Sequence, residues 1–314
     1  MDKYSIGIDI GGTKLSFGII NNKGEVLYEA RETSAKLDAS DIIEKLLDTT
    51  SDILEKVKKD NIKIESIGIG SPGRMDSKTG IVVDCSPNLK NWQGVNLKEL
   101  FEKKFNLPTF VDNDANCAAF GEYFLFESIG KEDKTILVLT LGTGLGSGVI
   151  TNNKVFKGKG LGCEIGHMII DYKGRKCNCG QTGCIEAYVS GTALETQAKL
   201  RLENYPDSKL HSEEEITGHK IFKNAKNGDL FSNILIDEMS EFLSYGIISL
   251  VNIFDPDLVL LSGGIALQKD FYMNKLKTII KNQINYSNFD LETIQIAQSN
   301  DKAGLIGAGL IALQ

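Results

Sequence analysis

Apolar runs that end in paired glycines set the rhythm of this chain. Residues 4–10 form one such run and lead into Gly11-Gly12. Residues 15–20 form a second, and the polar turn Asn21-Asn22-Lys23-Gly24 leads to a third at 25–32. Strand-like runs joined by short turns predict antiparallel neighbours. The period then changes. Within 41–59, Ile42, Leu46, Ile53 and Val57 recur at steps of about four and seven, the stripe of an amphipathic helix, with Asp41 and Glu44 as a candidate capping box. Residues 64–70 predict a strand, followed by the loop Gly70-Ser71-Pro72-Gly73-Arg74. The pattern continues as a helix at 97–105, a strand at 108–111 and a helix at 115–125.

Residues 135–141 open a second strand–glycine–strand unit. Gly18-Ile19-Ile20-Asn21-Asn22-Lys23 has a counterpart in Gly148-Val149-Ile150-Thr151-Asn152-Asn153-Lys154, and both follow a glycine turn, which predicts an internal duplication. A helix is expected at 186–201. The polar segment 203–220 reads as loop, with Glu213-Glu214-Glu215, His211 and His219 as solvated surface. A long helix is expected at 229–254, its stripe running through Leu230, Ile234, Phe242, Ile247 and Val251. A buried strand at 258–261 ends in Ser262-Gly263-Gly264, and the Gly/Ala-rich helix at 304–313 is expected to pack back on the first domain.

Length and charge narrow the classes. A chain of 314 residues has room for two domains, and its 41% hydrophobic and 25% charged residues are those of a globular protein. A net charge of −7 argues against general nucleic-acid binding. The strand pattern begins directly after Met1-Asp2-Lys3, without a signal-peptide pattern. The longest apolar run, at 246–254, falls short of the roughly 20 residues of a membrane helix. No membrane partner and a cytoplasmic setting are therefore expected. Of six cysteines, Cys177, Cys179 and Cys184 sit within eight positions, a spacing that reads as metal before disulfide. Cys85 and Cys117 read as small buried residues.

Two glycine turns suit phosphates. Gly11 and Gly12 remove the β-carbon from a phosphate's path, Thr13 adds a hydroxyl and Lys14 a charge. Asp9, at the strand end, is placed to hold hydrated magnesium, or is a surface residue of a tight hairpin. The second turn, Leu141-Gly142-Thr143-Gly144-Leu145-Gly146-Ser147-Gly148, matches neither a dinucleotide fingerprint nor a Walker loop. Ser262-Gly263-Gly264 would let an adenine ring approach backbone, or is a plain strand-to-helix turn. His167, Cys177, Cys179 and Cys184 supply one nitrogen and three sulfurs, a closed tetrahedral set for structural zinc. Such an ion would draw Glu164, His167 and Glu186 into a small space suited to sugar hydroxyls; otherwise the two glutamates are surface charges. In Val111-Asp112-Asn113-Asp114, Asp114 is either a base for a hydroxyl or the cap of the following helix, and Asp112 competes with it.

Taken together, these residues resemble the ROK family of sugar kinases and repressors. The resemblance covers almost the whole chain. It rests on Asp9-Ile10-Gly11-Gly12-Thr13-Lys14, Gly70-Ser71-Pro72-Gly73, Asn113-Asp114, Leu141-Gly142-Thr143-Gly144, Glu164-Ile165-Gly166-His167 and Cys177-Asn178-Cys179-Gly180-Gln181-Thr182-Gly183-Cys184-Ile185-Glu186. It implies an α/β fold of actin-like, hexokinase-like (ribonuclease H-like) type, with two domains, mixed sheets and an interdomain cleft. The expected division is 1–112 plus 303–314 against 113–302, the latter carrying the zinc motif. The resemblance implies ATP-dependent phosphorylation of a hexose 6-hydroxyl with Mg²⁺, glucose first and N-acetylmannosamine or another N-acetylhexosamine as the alternative.

It further implies Asp114 as general base, and sugar contacts from Gly73, Asn88, Asn113, Asp114, Glu164, His167 and Glu186. Gly12, Thr13, Thr143 and Gly144 would meet ATP phosphates, with Asp9, Gly11, Lys14 and Gly142 completing the two turns and Gly264 towards the nucleoside. Homodimers or homotetramers are implied as well. Regulators of this family carry a helix-turn-helix ahead of the first glycine turn; Asp9 stands close to Met1, so an enzyme is expected. Two positions bear on substrate identity: Cys163 stands where many such glucokinases have glycine, and Arg74 after the Pro-Gly turn resembles kinases of N-acetylmannosamine.

Overall fold

The computed structural model describes residues 2–314 apart from 36, 85–88, 127–133, 285–288 and 298–300. The chain divides into two compact units. The first comprises Met1–Asp133, Gly148–Cys163 and Gln298–Gln314, the second Lys134–Ser147 and Glu164–Ala297.

The first unit begins with strands β1 (Tyr4–Ile10), β2 (Lys14–Asn21) and β3 (Val26–Thr33), then helix α1 (Ala39–Lys59) and strands β4 (Ile64–Ser71), β5 (Arg74–Asp76) and β6 (Ile81–Asp84). Helix α2 (Leu97–Phe105), β7 (Thr109–Asn113) and α3 (Asp114–Leu125) follow. The five-stranded sheet has the order β3-β2-β1-β4-β7. Its first three strands are antiparallel, as their short turns dictate, while β4 and β7 join in parallel after helical crossovers. Ile6, Ile8, Ile10, Leu15 and Phe17 belong to one core with Ile42, Leu46, Ile53 and Val57 of α1. The single tryptophan, Trp92, is fully buried in the same core, and its Nε1 donates to Ser71 Oγ at 3.0 Å.

The remaining elements are β8 (Thr135–Leu141), β9 (Leu145–Thr151), β10 (Lys154–Val155), α4 (Glu186–Val189), α5 (Gly191–Arg201), α6 (Gly218–Lys226), α7 (Leu230–Phe254), β11 (Leu258–Ser262), α8 (Met273–Gln283), β12 (Ile294–Ile296) and α9 (Ala303–Ala312). The second sheet reads β10-β9-β8-β11-β12. Third, second, first, fourth, fifth is therefore the order of both sheets, in keeping with the duplication read from the two glycine-turn segments. Leu137 and Val259 are register partners on β8 and β11, two parallel strands buried almost without interruption. The residues of β11 are buried throughout, as expected of an inner parallel strand.

The C-terminal helix α9 packs on the first unit. Gly7 and Gly68, paired across β1 and β4, leave the groove it needs. A Cβ at either would collide with the carbonyls of Leu305 or Ala308. Ser5 Oγ donates to Gly309 O and Ser66 Oγ to Ala312 O, each at 2.7 Å, so buried hydroxyls satisfy carbonyls near the helix end.

Four local expectations shift. Helix α1 is capped by Asp38, which accepts from the amides of Ser40 and Asp41, so the Asp41–Glu44 box is not the cap. The helix expected at 186–201 breaks at Ser190, whose extended backbone and hydroxyl cap α5. The loop expected through 203–220 ends early, where Thr217 caps α6. The buried stripe of α7 runs through Phe231, Leu235, Met239 and Leu243 to Ile247 and Val251, which are buried as expected, while Leu230 is 71% exposed. The helix turns its second residue inward because Asp229, held by Ser208, Lys209 and Ser232, fixes its start. Among the described residues, no helix is long and apolar enough to cross a membrane.

Candidate functional site

Asp9 is the penultimate residue of β1, flanked by Ser16 of β2 and Gly70 of β4. Burial pushes its carboxyl up from the ordinary value, and the charge of Lys14 offsets part of that effect. Gly304 of α9 lies against it: a Cβ there would come within 2.9 Å of the carboxylate. An enclosed carboxylate on which burial outweighs the nearby cation suits a further one, so the residue fits a magnesium role. The turn after it is closed by Gly11 N donating to Lys14 O at 2.9 Å. A Cβ on Gly12 would meet nothing within 4 Å, so this side of the turn is open.

The two competing aspartates have different partners. Asp112 is buried. Its carboxylate accepts from the Asn113 amide at 2.8 Å and Asn116 Nδ2 at 3.0 Å, and is paired with Lys157 Nζ at 2.5 Å. Asn113, not Asp114, is the cap of α3. Its Oδ1 accepts from the amides of Ala115 and Asn116, and its Nδ2 donates to Gly73 O at 2.8 Å. Asp114 is thus the first residue of α3, with one carboxylate oxygen on the Ala115 amide at 2.9 Å. The sequence left base and cap open for Asp114; the cap position is filled by its neighbour. Asp9, Asp112 and Asp114 all surround buried Cys117, whose thiol is pushed up first by burial and then by those carboxylates.

The second glycine turn is closed by Gly142 N donating to Gly144 O at 3.0 Å. It is also braced. Glu186 Oε2 accepts from the Leu145 amide at 2.9 Å, and a Cβ on Gly144 would come 2.5 Å from that oxygen. At the start of α5, Gly191 N donates to Gly142 O at 2.8 Å and Thr192 N to Thr143 O at 3.2 Å. Gly263 has φ of +90°, and the chain after it returns to the same strand end through Ile265 N on Leu141 O at 3.1 Å. Gly264 therefore sits beside the turn, with open space where a Cβ would be.

His167, Cys177, Cys179 and Cys184 meet as expected: their ligand atoms all lie within 4.8 Å of one another. Cys179 and Cys184 sulfurs are 3.7 Å apart, and His167 Nδ1 is 3.8 Å from Cys177 Sγ. Both are close to the roughly 3.8 Å edge of a tetrahedron with bonds of about 2.3 Å. The loop holds itself in shape through Cys177 N on Gln181 O at 2.9 Å and Gly180 N on Cys177 O at 3.0 Å. Gly183 has φ of +86°, and a Cβ there would collide with the Asp171 carbonyl. Burial first, with the neighbouring thiols, pushes Cys177 and Cys184 up, so an ion entering the cluster must displace their protons. The donor set fits structural zinc. Glu186 Oε1 lies 3.6 Å from Cys177 Sγ, so the carboxylate that braces the second turn adjoins the cluster. Glu164 O accepts from His167 N at 3.0 Å, one turn ahead of the ligand.

In the first unit the structure thus joins Gly73, Asn113 and Asp114, and places Asp9 by Gly70. In the second it joins Gly142, Thr143, Gly144, Glu164, His167 and Glu186 with the cysteines. Asn88 and Cys85 lie outside the described residues. Sequence reasoning missed the Lys157–Asp112 pair, since nothing in local spacing links residues so far apart. It also missed the tie from Glu186 to Leu145, although the position of Glu186 next to the cysteine motif was the available signal. His211 and His219 are exposed, as read.

Known proteins resemble this chain along nearly its whole length. The ROK family model matches residues 5–314. A glucokinase of Thermotoga maritima is 31% identical over 312 residues, covering 98% of this chain and 96% of that protein. A xylose repressor of Caldicellulosiruptor bescii is 34% identical over 310 residues, covering 96% of this chain and 76% of the repressor. The crystal structure of a ROK family glucokinase from Streptomyces griseus, in complex with glucose and AMPPNP, superposes with a TM-score of 0.80 at 31% identity, covering 99% of each chain. The fold is accordingly the expected actin-like α/β type, with two mixed five-stranded sheets.

Proposed function

The chain belongs to the ROK family, and from that premise we propose that it transfers the γ-phosphoryl group of ATP to the 6-hydroxyl of a hexose, with glucose as the substrate. The observation that carries the proposal is the end-to-end likeness to a glucokinase solved with glucose and a nucleotide analogue. The geometry of the aspartates supports it. Asp112 is committed to Lys157 and Asn116, so the proton acceptor is Asp114 at the head of α3. Its carboxylate takes the proton of the 6-hydroxyl. The freed oxygen attacks the γ-phosphorus, one P–O bond forms as the bond to ADP breaks, and hexose 6-phosphate and ADP are the products.

In this reading the amides of Gly11, Gly12 and Thr13, and of Gly142, Thr143 and Gly144, steady the phosphates, with Lys14 adding charge and Gly264 facing the nucleoside. Asp9 would hold magnesium, which neutralises charge on the transferring phosphate when bound. Gly73, Asn88, Asn113, Glu164, His167 and Glu186 are the sugar-contacting groups. His167 presents Nδ1 to the sulfurs, leaving Nε2 as the donor to a hydroxyl. The reduced thiol cluster accords with a cytoplasmic setting, and assembly as a homodimer or homotetramer belongs to the same proposal.

A second reading is a sugar-responsive regulator, favoured by the 34% identical xylose repressor. Coupled ADP-release assays with glucose, N-acetylmannosamine and N-acetylglucosamine separate these readings. Turnover with glucose well above the other two supports the proposal. Preference for an N-acetylhexosamine moves the substrate to that class. No ADP release with any of the three, together with sugar-dependent DNA binding, overturns it in favour of the regulator.

A further inference from the structure

Outside these groups, the first unit holds a cavity of about 560 Å³. Its wall comes from the turn after β5, from the β9–β10 hairpin and from the segment that follows. The size is that of a small-molecule pocket. Its charge is unlike the rest of the molecule. The whole protein carries −7, yet this wall contributes Lys78, Lys154, Lys157 and Lys159 and no carboxylate. Lys157 is engaged with Asp112. Among the described residues, Lys78, Lys154 and Lys159 have no ion-pair partner. The nearest acid on the same turn, Asp76, is occupied by the Lys78 amide at 3.0 Å. Phe156, 45% exposed, supplies one apolar wall, and Ser77 a hydroxyl.

Three exposed lysines, Lys78 on the turn after β5 and Lys154 and Lys159 on one segment at 151–160, line the same pocket. Asp76 offsets part of the charge of Lys78, no carboxylate lines the pocket, and a multiply charged oxyanion would offset the rest. Lysines act as mobile point charges, which suits a phosphate with several rotatable oxygens better than a flat carboxylate. A duplex or membrane surface fits poorly, because the surrounding protein is acidic and the site is concave. We infer that this lysine-lined cavity binds a small ligand carrying phosphate with at least two negative charges. An oligophosphate and a sugar phosphate share that chemistry; the second would also lay a ring face on Phe156. The inference stands on this geometry and is independent of the kinase reading.

The test is calorimetric titration of the full chain with tripolyphosphate and, separately, with hexose 6-phosphate, at low salt and with saturating AMPPNP present to occupy the nucleotide site. The comparison protein is the Lys78→Gln/Lys154→Gln/Lys159→Gln variant. The expected result is that the wild type binds at least one of the two and that the variant binds it tenfold or more weakly. Wild-type affinity should fall as salt rises. Whichever ligand binds names the source of the phosphate. Equal affinity in the two proteins, or no binding of either ligand to the wild type, overturns the inference. Should the variant fold poorly, acetylation of the wild type read by mass spectrometry serves instead. Protection of Lys78, Lys154 and Lys159 by the ligand is expected, and unchanged labelling of all three overturns the site. Loss of kinase activity in other variants would leave this result untouched, so the two proposals fail separately.

Discussion

The two glycine turns follow the first strands of two sheets with the same order, yet they are held in opposite ways. The first turn is open at Gly12 and stands beside a carboxylate that burial disfavours. The second is wired from behind by Glu186 and by the start of α5, with the cysteine cluster adjoining Glu186 at Cys177. A shared topology therefore sets where a phosphate-sized turn appears, and the residues behind it decide whether order comes from the chain alone or depends on an ion. The first unit holds a buried carboxylate whose burial only Lys14 offsets. The second carries four clustered metal-type ligands, whose thiols lose their protons on binding an ion.

The largest effect expected is on turnover. Asp114→Ala should lower it by a factor of about 100 to 10,000, the range of a positioned base, with zinc content and fold unchanged. Near wild-type turnover in the purified variant would reject Asp114 as base. Next comes metal removal. Stripping zinc with a chelator should weaken sugar binding by about 10- to 100-fold, since ligand surroundings fix the partner groups, and amide exchange should rise across 142–145 and not across 9–14. Rebinding should weaken as pH falls, because the thiols must lose protons to bind metal. Exchange rising equally at both turns would break the contrast.

A pair of substitutions sharpens it further. Gly144→Ala forces Glu186 away from the Leu145 amide and should lower stability by about 1–3 kcal/mol, the cost of a lost charged hydrogen bond. Gly12→Ala, with open space around it, should leave the melting temperature unchanged while raising the KM for ATP. Matching melting curves for the two variants would remove the distinction. The smallest effect concerns Asp9. Its carboxyl is raised in the fold, so the folded chain binds this proton more tightly than the unfolded chain does. Stability from this group is present at low pH and is lost as pH rises through the carboxylate range. Asp9→Asn should therefore melt slightly higher than wild type at neutral pH without magnesium. A lower melting point would show that the charge is already compensated.

The fold was largely legible because its signals are local. Glycine turns after apolar runs mark β1 and β8, and a period-four stripe marks α1. The cysteine cluster was legible for the same reason, with three ligands within eight residues. What local pattern could not supply was the choice among equivalent residues. Asp38 and Asp41 are both acceptable caps by residue type, and Asp38 is the one whose side chain accepts from the first amides of α1. Asp112 and Asp114 are alike in sequence, and a lysine over forty residues away separates them. In α7, apolar residues occur on several faces, so the buried stripe depends on where Asp229 anchors the start.

Trp92 carries a practical consequence. As the lone indole, donating to Ser71 directly before the Pro72-Gly73 turn, it is a built-in fluorophore attached to the loop whose far end Asn113 grips. Its emission should report ligand arrival at that loop without any label, and a stopped-flow trace would then time the arrival separately from the chemistry.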